Sequence, residues 1–340
     1  MSATASEIAR AAAVLRAGGL VAFPTETVYG LGADATSEAA VRRLYAVKRR
    51  PPGHPVIVHL GDADALREWA RAVPDAAAAL AAACWPGPLT LLVERSARVA
   101  DVVTGGRATV GLRVPDQPLA RELLRTFGGG VAAPSANRFG RVSPTTAADV
   151  EADLGDAVDL VLDGGPCRVG VESTIVDCSG AAPVIRRLGG VTRERVEQVV
   201  GTHVVVDTGA GGGAAAPGTL ESHYAPRARV VLTTSAGLAA AVEREIAAGA
   251  RVGVLAPASP ATAPESGARV DVDGVVVVGA PATVDEYAHS LYSSLRAADA
   301  AGVDVVVAVP PPEQGLGAAV ADRLRRAAAP RDGEGGGWTR

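Results

Sequence analysis

The stretch from Leu20 to Asp34, LVAFPTETVYGLGAD, constrains this chain more than any other. Leu20, Val21, Ala22 and Phe23 form a short apolar run of strand type. Pro24 ends it, because proline cannot donate to a central ladder. Thr25, Glu26 and Thr27 then place two hydroxyls and a carboxylate just past the strand end. Gly30 and Gly32 follow Tyr29 and read as a tight loop, since glycine permits positive φ or close backbone approach. Polar groups on a sharp turn after a buried strand are how open α/β sheets build sites. A capped turn without a ligand would use the same residues, so the meaning of the stretch depends on the rest of the chain.

The 340 residues leave room for two domains of ordinary size. Hydrophobic residues make up 48% and aromatics 3%, so the cores must be aliphatic and alanine-rich. A net charge of −4 argues against a surface coated by nucleic acid. It leaves room for a local basic patch, so direct RNA contact stays open. Cys84, Cys167 and Cys178 show no CxxC spacing, which excludes a conventional zinc knuckle or disulfide framework and suits a reducing cytosol. The start lacks a signal-peptide pattern, and no uncharged apolar run approaches the roughly 20 residues that span a bilayer. The expectation is a soluble cytoplasmic protein with no membrane partner. Among 33 lysines and arginines there is one lysine, Lys48, and Val47 before it rules out a Walker A motif.

Periodicity predicts helices over 6–17, 37–47, 63–72, 75–84, 119–127 and 192–200, and strands over 20–23, 56–60, 89–93, 109–114, 131–133, 159–163, 173–177 and 184–187. From 201 to 227 the composition turns to Gly, Ala and Thr, a linker that we expect to close over the first domain as a lid. Gly209 to Ala214 formally matches GxGxxA, but Pro217-Gly218 prevents the helix that a dinucleotide site requires. Alternating strands and helices over 228–330 predict a small, mostly parallel α/β domain, and 331–340 reads as a disordered tail. The expected division is therefore 1–200 for the catalytic domain, 201–227 for the linker and 228–330 for the second domain.

Individually the polar signals are ambiguous. Lys48 and Arg50 suit phosphate, or a solvated helix end that complements the dipole. His59 sits in an apolar strand, where a satisfied core histidine is the plainer reading. Arg113, inside VGLRVP, needs an anionic partner, which a structural carboxylate or a ligand could supply. Ser135 and Asn137 offer short polar groups on a turn, Ser143 suits an N-cap, and Glu172-Ser173-Thr174 precedes a strand as Thr25-Glu26-Thr27 follows one.

Their order is specific. PTETVYGLG, the Lys48/Arg50 pair, VIVHL, WPGPLTLL, TVGLRVP, APSAN, GVESTIVD, IRRLGG and PGTLESHYAP occur in one series. That series resembles the threonylcarbamoyl-AMP synthase family, the YrdC-like proteins, in their long two-domain form. The resemblance implies a twisted open mixed α/β sheet with a concave pocket, and a smaller Rossmann-like α/β domain after it. It implies synthesis of L-threonylcarbamoyl-AMP from L-threonine, bicarbonate and ATP with release of pyrophosphate. The product would feed tRNA threonylcarbamoyl-transfer proteins that modify position 37.

By the same resemblance, L-threonine would meet Thr25 or Thr27, His59, Arg113, Ala133 and Ser173, with Arg113 on its carboxylate. ATP would meet Lys48, Arg50, Thr109, Ser135, Asn137, Ser143 and Arg187, with His223 and Tyr224 arriving from the linker. His54 stands where the family often has a small amide. Lys48 and Arg50 would carry catalysis by neutralising phosphate charge. Mg²⁺ would arrive with ATP, since no carboxylate cluster looks like an all-protein cage. Two other readings share the fold: a carbamoyl-transfer domain of the hydrogenase-maturation type, whose zinc-binding modules are absent here, and a non-catalytic RNA-binding protein.

Overall fold

The computed structural model describes residues 4–51, 53–208, 224–258 and 275–330. The glycine tether at 209–213, His223 and the expected tail at 331–340 lie outside them. The chain divides into two compact units, residues 1–139 with 143–219, and residues 140–142 with 220–340.

The first unit is built on a mixed sheet. Its strands are β1 (Val21–Phe23), β2 (Gly30–Asp34), β3 (Ile57–His59), β4 (Leu89–Glu94), β5 (Thr109–Arg113), β6 (Val131–Ala132), β7 (Leu160–Val161), β8 (Thr174–Asp177), β9 (Val184–Arg187) and β10 (Val205–Val206). Their spatial order is β10-β9-β8-β4-β5-β3-β6-β2-β1-β7. β3 runs parallel to β5, with His59 opposite Arg113. β10 extends the sheet from β9 within the span expected as linker.

Alternation on β1 sends successive side chains to opposite faces. Val21 and Phe23 join a core with α1 (Ala5–Arg16) and α6 (Pro118–Phe127) through Ile8, Leu15, Leu119 and Leu123. Leu20 and Ala22 join the larger core, with Leu31, Val41, Leu44 and Val58. Both faces of this strand are covered, which explains its unbroken apolar run. Thr4 and Glu7 form a capping box that starts α1, and Ser37 caps α2 (Glu38–Lys48) as expected.

Some segments differ from the periodic reading. Residues 63–72 form only a short 3-10 turn, Ala63–Ala65, and one helical turn, Leu66–Trp69. The helix Ala147–Leu154 was not anticipated, and Thr146 rather than Ser143 is its N-cap. The largest difference is β2, because the stretch read as a tight loop is a central strand between β1 and β6. Its glycines serve close approach and not positive φ. A Cβ on Gly32 would lie 2.8 Å from the rings and methyls of Phe23 and Val131 on the flanking strands.

The second unit is a parallel sheet in the order β11-β14-β12-β13, formed by Arg229–Leu232 (β11), Val252–Leu255 (β12), Val275–Gly279 (β13) and Val305–Ala308 (β14). Helices Leu238–Ala247, Val284–Ala300 and Leu316–Ala328 accompany it. Tyr287 in the second of these donates its hydroxyl to the Val309 carbonyl at 3.0 Å. Val252, Val254, Val305 and Val307 supply the aliphatic core that the low aromatic content demanded.

The close approach at β2 can be tested. Gly32→Ala is expected to cost about 1–3 kcal/mol of stability in urea denaturation, because both flanking side chains must move. An unchanged midpoint and slope would show that the glycine is not needed for packing.

Candidate active site

The lone lysine is carried by the last turn of α2. Arg49 caps that helix in the left-handed region, with φ at 53°. The bend leaves Arg49 exposed while Lys48 and Arg50 face inward, Lys48 at 1% exposure. Lys48 is thus not a solvated helix end. Its Nζ donates to the backbone carbonyls of Ser135 and Asn137. Burial first, and then the Arg50 charge, hold its ammonium well below lysine's usual range. Those two partners are neutral carbonyls, so an anion brought to Nζ would supply the counter-charge that they do not.

Backbone bonds fix this corner. Leu31 N–H donates to Pro134 O and Ala136 N–H to Tyr29 O, both at 2.8 Å, while Phe139 N–H reaches Lys48 O at 2.9 Å. The Thr25–Tyr29 turn, the Pro134–Asn137 loop and the end of α2 are therefore one framework. Arg50 donates to Pro55 O at 2.8 Å and to His54 O at 3.3 Å, and its guanidinium lies 5.4 Å from the Phe139 ring. The His54 ring meets Phe139 edge-on at 5.4 Å. Thr109, half-buried at the start of β5, lines a narrow crevice with Val56, Thr104 and Arg107.

A second group gathers around Arg113. Thr25 and Thr27 share a hydroxyl contact of 2.8 Å, and Thr25 also donates to Val28 O. Arg113 Nη2 lies 2.8 Å from Glu26 Oε1, both side chains buried, and Arg113 Nε donates to Gly87 O at 3.3 Å. The anionic partner that the sequence demanded is here a residue of the chain. Ala133 is held by its N–H on Ile57 O at 2.9 Å. His59 is buried, with its ring edge to Phe23 and no partner on Nδ1 among the described residues.

Ser173 and Arg187 form a further bonded pair. Ser173 Oγ lies 2.8 Å from Thr90 Oγ1 and accepts from Arg187 Nη2 at 3.0 Å, and its carbonyl accepts from Arg187 Nε at 3.0 Å. A residue expected to meet threonine is thereby bonded to one expected to meet ATP. Ser143, fully buried, donates to Glu172 Oε1 at 2.8 Å. Tyr224 belongs to the second unit, where it stacks on Tyr292 at 5.8 Å beneath Arg323 at 5.0 Å. Its side chain is buried there, and His223 lies outside the described residues.

Sequence reasoning did not single out Glu26, Glu172 or Thr90 as site residues. Glu26 and Glu172 were visible inside the TET and EST triplets, but the sequence left Glu26 open between a site group and a capped turn, with nothing to pair it with Arg113. Among the described residues, no group of three or more His, Cys, Asp or Glu is placed to hold a metal. No described helix is long and apolar enough to cross a membrane.

The environment of His59 makes a pH prediction. Burial, and then the nearby Arg113 charge, push its pKa from 6.5 down to about 3. Below pH 6.5 the unfolded chain therefore binds a proton that the folded chain refuses. The resulting stability is complete above that value and is lost as pH falls toward about 3. Relative to His59→Gln, the wild-type chain is expected to lose up to about 1.4 kcal/mol per pH unit across this window in urea titrations. Parallel curves for the two proteins would refute a buried neutral imidazole.

Comparison with known proteins agrees with this architecture. Residues 13–189 match the Sua5/YciO/YrdC family profile, described as "Telomere recombination", and residues 191–329 match "Threonylcarbamoyl-AMP synthase, C-terminal domain". The threonylcarbamoyl-AMP synthase of Pyrococcus abyssi is 41% identical over 94% of each chain. That of Bacillus subtilis is 39% identical over 97% of this chain and 95% of its own. The crystal structure of Pyrococcus abyssi Sua5 complexed with L-threonine superposes with a TM-score of 0.86 at 40% identity, covering 94% of both chains. A Pyrococcus abyssi Sua5 variant with adjacent histidine and tyrosine replaced by alanine gives 0.84, also at 40% identity, over 94% of this chain and 92% of its own. Two family profiles in tandem and relatives matched from end to end show that the chain belongs to the Sua5/YrdC family of threonylcarbamoyl-AMP synthases.

Proposed function

We propose that the chain makes L-threonylcarbamoyl-AMP from L-threonine, bicarbonate or CO₂, and MgATP, acting as a nucleotidyltransferase that releases pyrophosphate. The observation that carries this reading is the first unit's pairing of a buried cationic corner, Lys48 with Arg50, and a second polar group around Arg113. Ser173, just before β8, is bonded to Arg187 at the end of β9. The full-length relatives named for this activity support it, as does the relative complexed with L-threonine.

The threonine carboxylate lies on Arg113, with Thr25, Thr27, Ala133 and Ser173 around the rest of the molecule. A neutral His59 adds no charge of its own to that pocket. Phosphates lie on Lys48 and Arg50, within reach of Ser135 and Asn137, and the remaining nucleotide contacts come from Thr109, Ser143 and Arg187. Once its amine is neutral, threonine adds to CO₂, and the resulting carbamate oxygen attacks the α-phosphorus in line, expelling pyrophosphate. No protein nucleophile is needed, so catalysis is positioning and charge neutralisation. Mg²⁺ belongs to the MgATP substrate and spreads charge over the phosphates.

The expected lid falls mainly on residues 209–223, outside the described residues; closure there over the nucleotide would exclude water from a labile mixed anhydride. His223-Tyr224 is the one His–Tyr dipeptide in this chain, and a histidine–tyrosine pair is what the Pyrococcus variant replaces. The product would pass to tRNA threonylcarbamoyl-transfer proteins, an assignment consistent with a cytoplasmic location.

Pyrophosphate release is the experiment. It is expected to require both L-threonine and bicarbonate, with serine weaker by about 1–3 kcal/mol in apparent specificity for want of the methyl. Undiminished release without threonine would mean that the chain is an ordinary ATP-hydrolysing enzyme.

A further inference from the structure

Glu26 is buried to 2% exposure, yet neither the family resemblance nor the mechanism above gives it a role. Its place is tightly fixed. The Glu26 carbonyl accepts from Val169 N–H at 2.7 Å, and Oε2 accepts from Asp116 N–H at 3.0 Å. That leaves Oε1, which faces Arg113 Nη2 at 2.8 Å. The contact is electrostatic but poorly aligned, and neither atom makes a hydrogen bond of good geometry among the described residues. A buried acceptor and a buried donor, of opposite charge, therefore stand side by side with hydrogen-bonding capacity unused.

Charge balance decides what such a pair can admit. Arg113 alone would accept any carboxylate. With Glu26 beside it, an anion that takes the guanidinium leaves a second carboxylate buried without a cation, which is costly. A ligand that carries a carboxylate and an ammonium on one carbon avoids that cost. Its carboxylate takes Arg113 Nη2, its ammonium takes Glu26 Oε1, and the net charge of the pocket is unchanged. His59, opposite Arg113 in the parallel pairing of β3 and β5, supplies a further buried nitrogen, unpartnered among the described residues, without another charge.

We propose that Glu26 is a specificity-determining residue that binds the α-ammonium of the amino-acid substrate, so that Glu26 and Arg113 together select a zwitterion over a simple carboxylate. In the free protein the two residues hold each other's charge. On binding, the two charged groups of the amino acid engage Arg113 Nη2 and Glu26 Oε1, and Glu26 places the nitrogen that must later become the carbamate. This rests on the reading of Arg113 as the carboxylate site, and it adds a selection that the reading does not contain.

The test is isothermal titration of the full-length chain with L-threonine and with 2,3-dihydroxybutanoate, the analogue in which hydroxyl replaces the amine. Wild type is expected to bind threonine about tenfold or more tightly than the analogue. Glu26→Gln is expected to lose most of that preference, with threonine weakened about tenfold or more and the analogue changed much less. Glu26→Asp keeps the charge and is expected to keep the preference at lower affinity. Equal weakening of both ligands by Glu26→Gln, in a variant with wild-type circular dichroism, would show that Glu26 merely props Arg113 and would overturn the proposal. If the variants do not fold, wild type alone decides, because equal affinity for the two ligands refutes zwitterion selection. Wild type that binds the analogue but not threonine also refutes it, while binding of neither overturns the amino-acid site itself.

Discussion

Arg113 and Glu26 set the terms for the rest of the first unit. A guanidinium inside a mixed sheet, at 4% exposure, cannot stand without a counter-charge. The counter-charge comes from the turn after β1, so the strand-borne arginine fixes where that turn must lie. Removing one partner of such a pair costs about 3–5 kcal/mol, because it leaves the other buried and uncompensated. A purely structural role could be filled more cheaply by apolar residues of similar volume, so the retained pair suits a surface that must meet a charged ligand. Hydrogen bonds left unmade on Glu26 Oε1 and Arg113 Nη2 among the described residues point the same way.

The cationic corner obeys a related logic with a different residue. Lys48 is held by two carbonyls of the Pro134–Asn137 loop, and desolvation presses on its charge. Lysine places a compact ammonium there, with three donors on a flexible stem, where arginine's planar fork would meet two converging carbonyls poorly. That gives a physical reason for one lysine in a chain that otherwise uses arginine. The left-handed Arg49 matters for the same reason, since its backbone bend keeps Lys48 and Arg50 facing inward across a helix end. Glu172, accepting from Ser143, is a second buried carboxylate bonded to a candidate site residue.

Periodic elements were readable from the sequence. Asp75–Cys84 and Val184–Arg187 occur with the limits that their patterns predict, and strands and helices alternate beyond residue 228 as expected. β2 was not readable, because glycine usually marks a turn, whereas Gly32 answers to two side chains that arrive from distant positions in the chain. The inclusion of residues 140–142 in the second unit left no local signal either. In the candidate site, residue types and motif order singled out Lys48, Arg50, His59, Arg113, Ser173 and Arg187, all of which the fold buries. Glu26 escaped because a carboxylate on a turn suits a cap as readily as a site until the arginine across the sheet is in place. Burial of Lys48 escaped as well, since a basic helix end is ordinarily solvated.

The central claim is that Arg113 holds the amino acid by its carboxylate, so that the nitrogen, through its carbamate, is the end that reaches the nucleotide. Mass spectrometry of the product formed from ATP, L-threonine and carbon-13 bicarbonate tests this most directly. The account predicts an adenylate that contains threonine and carries the label in the carbamoyl carbon. An unlabelled threonyl-adenylate would contradict it, because the carboxylate itself would then have attacked the phosphate.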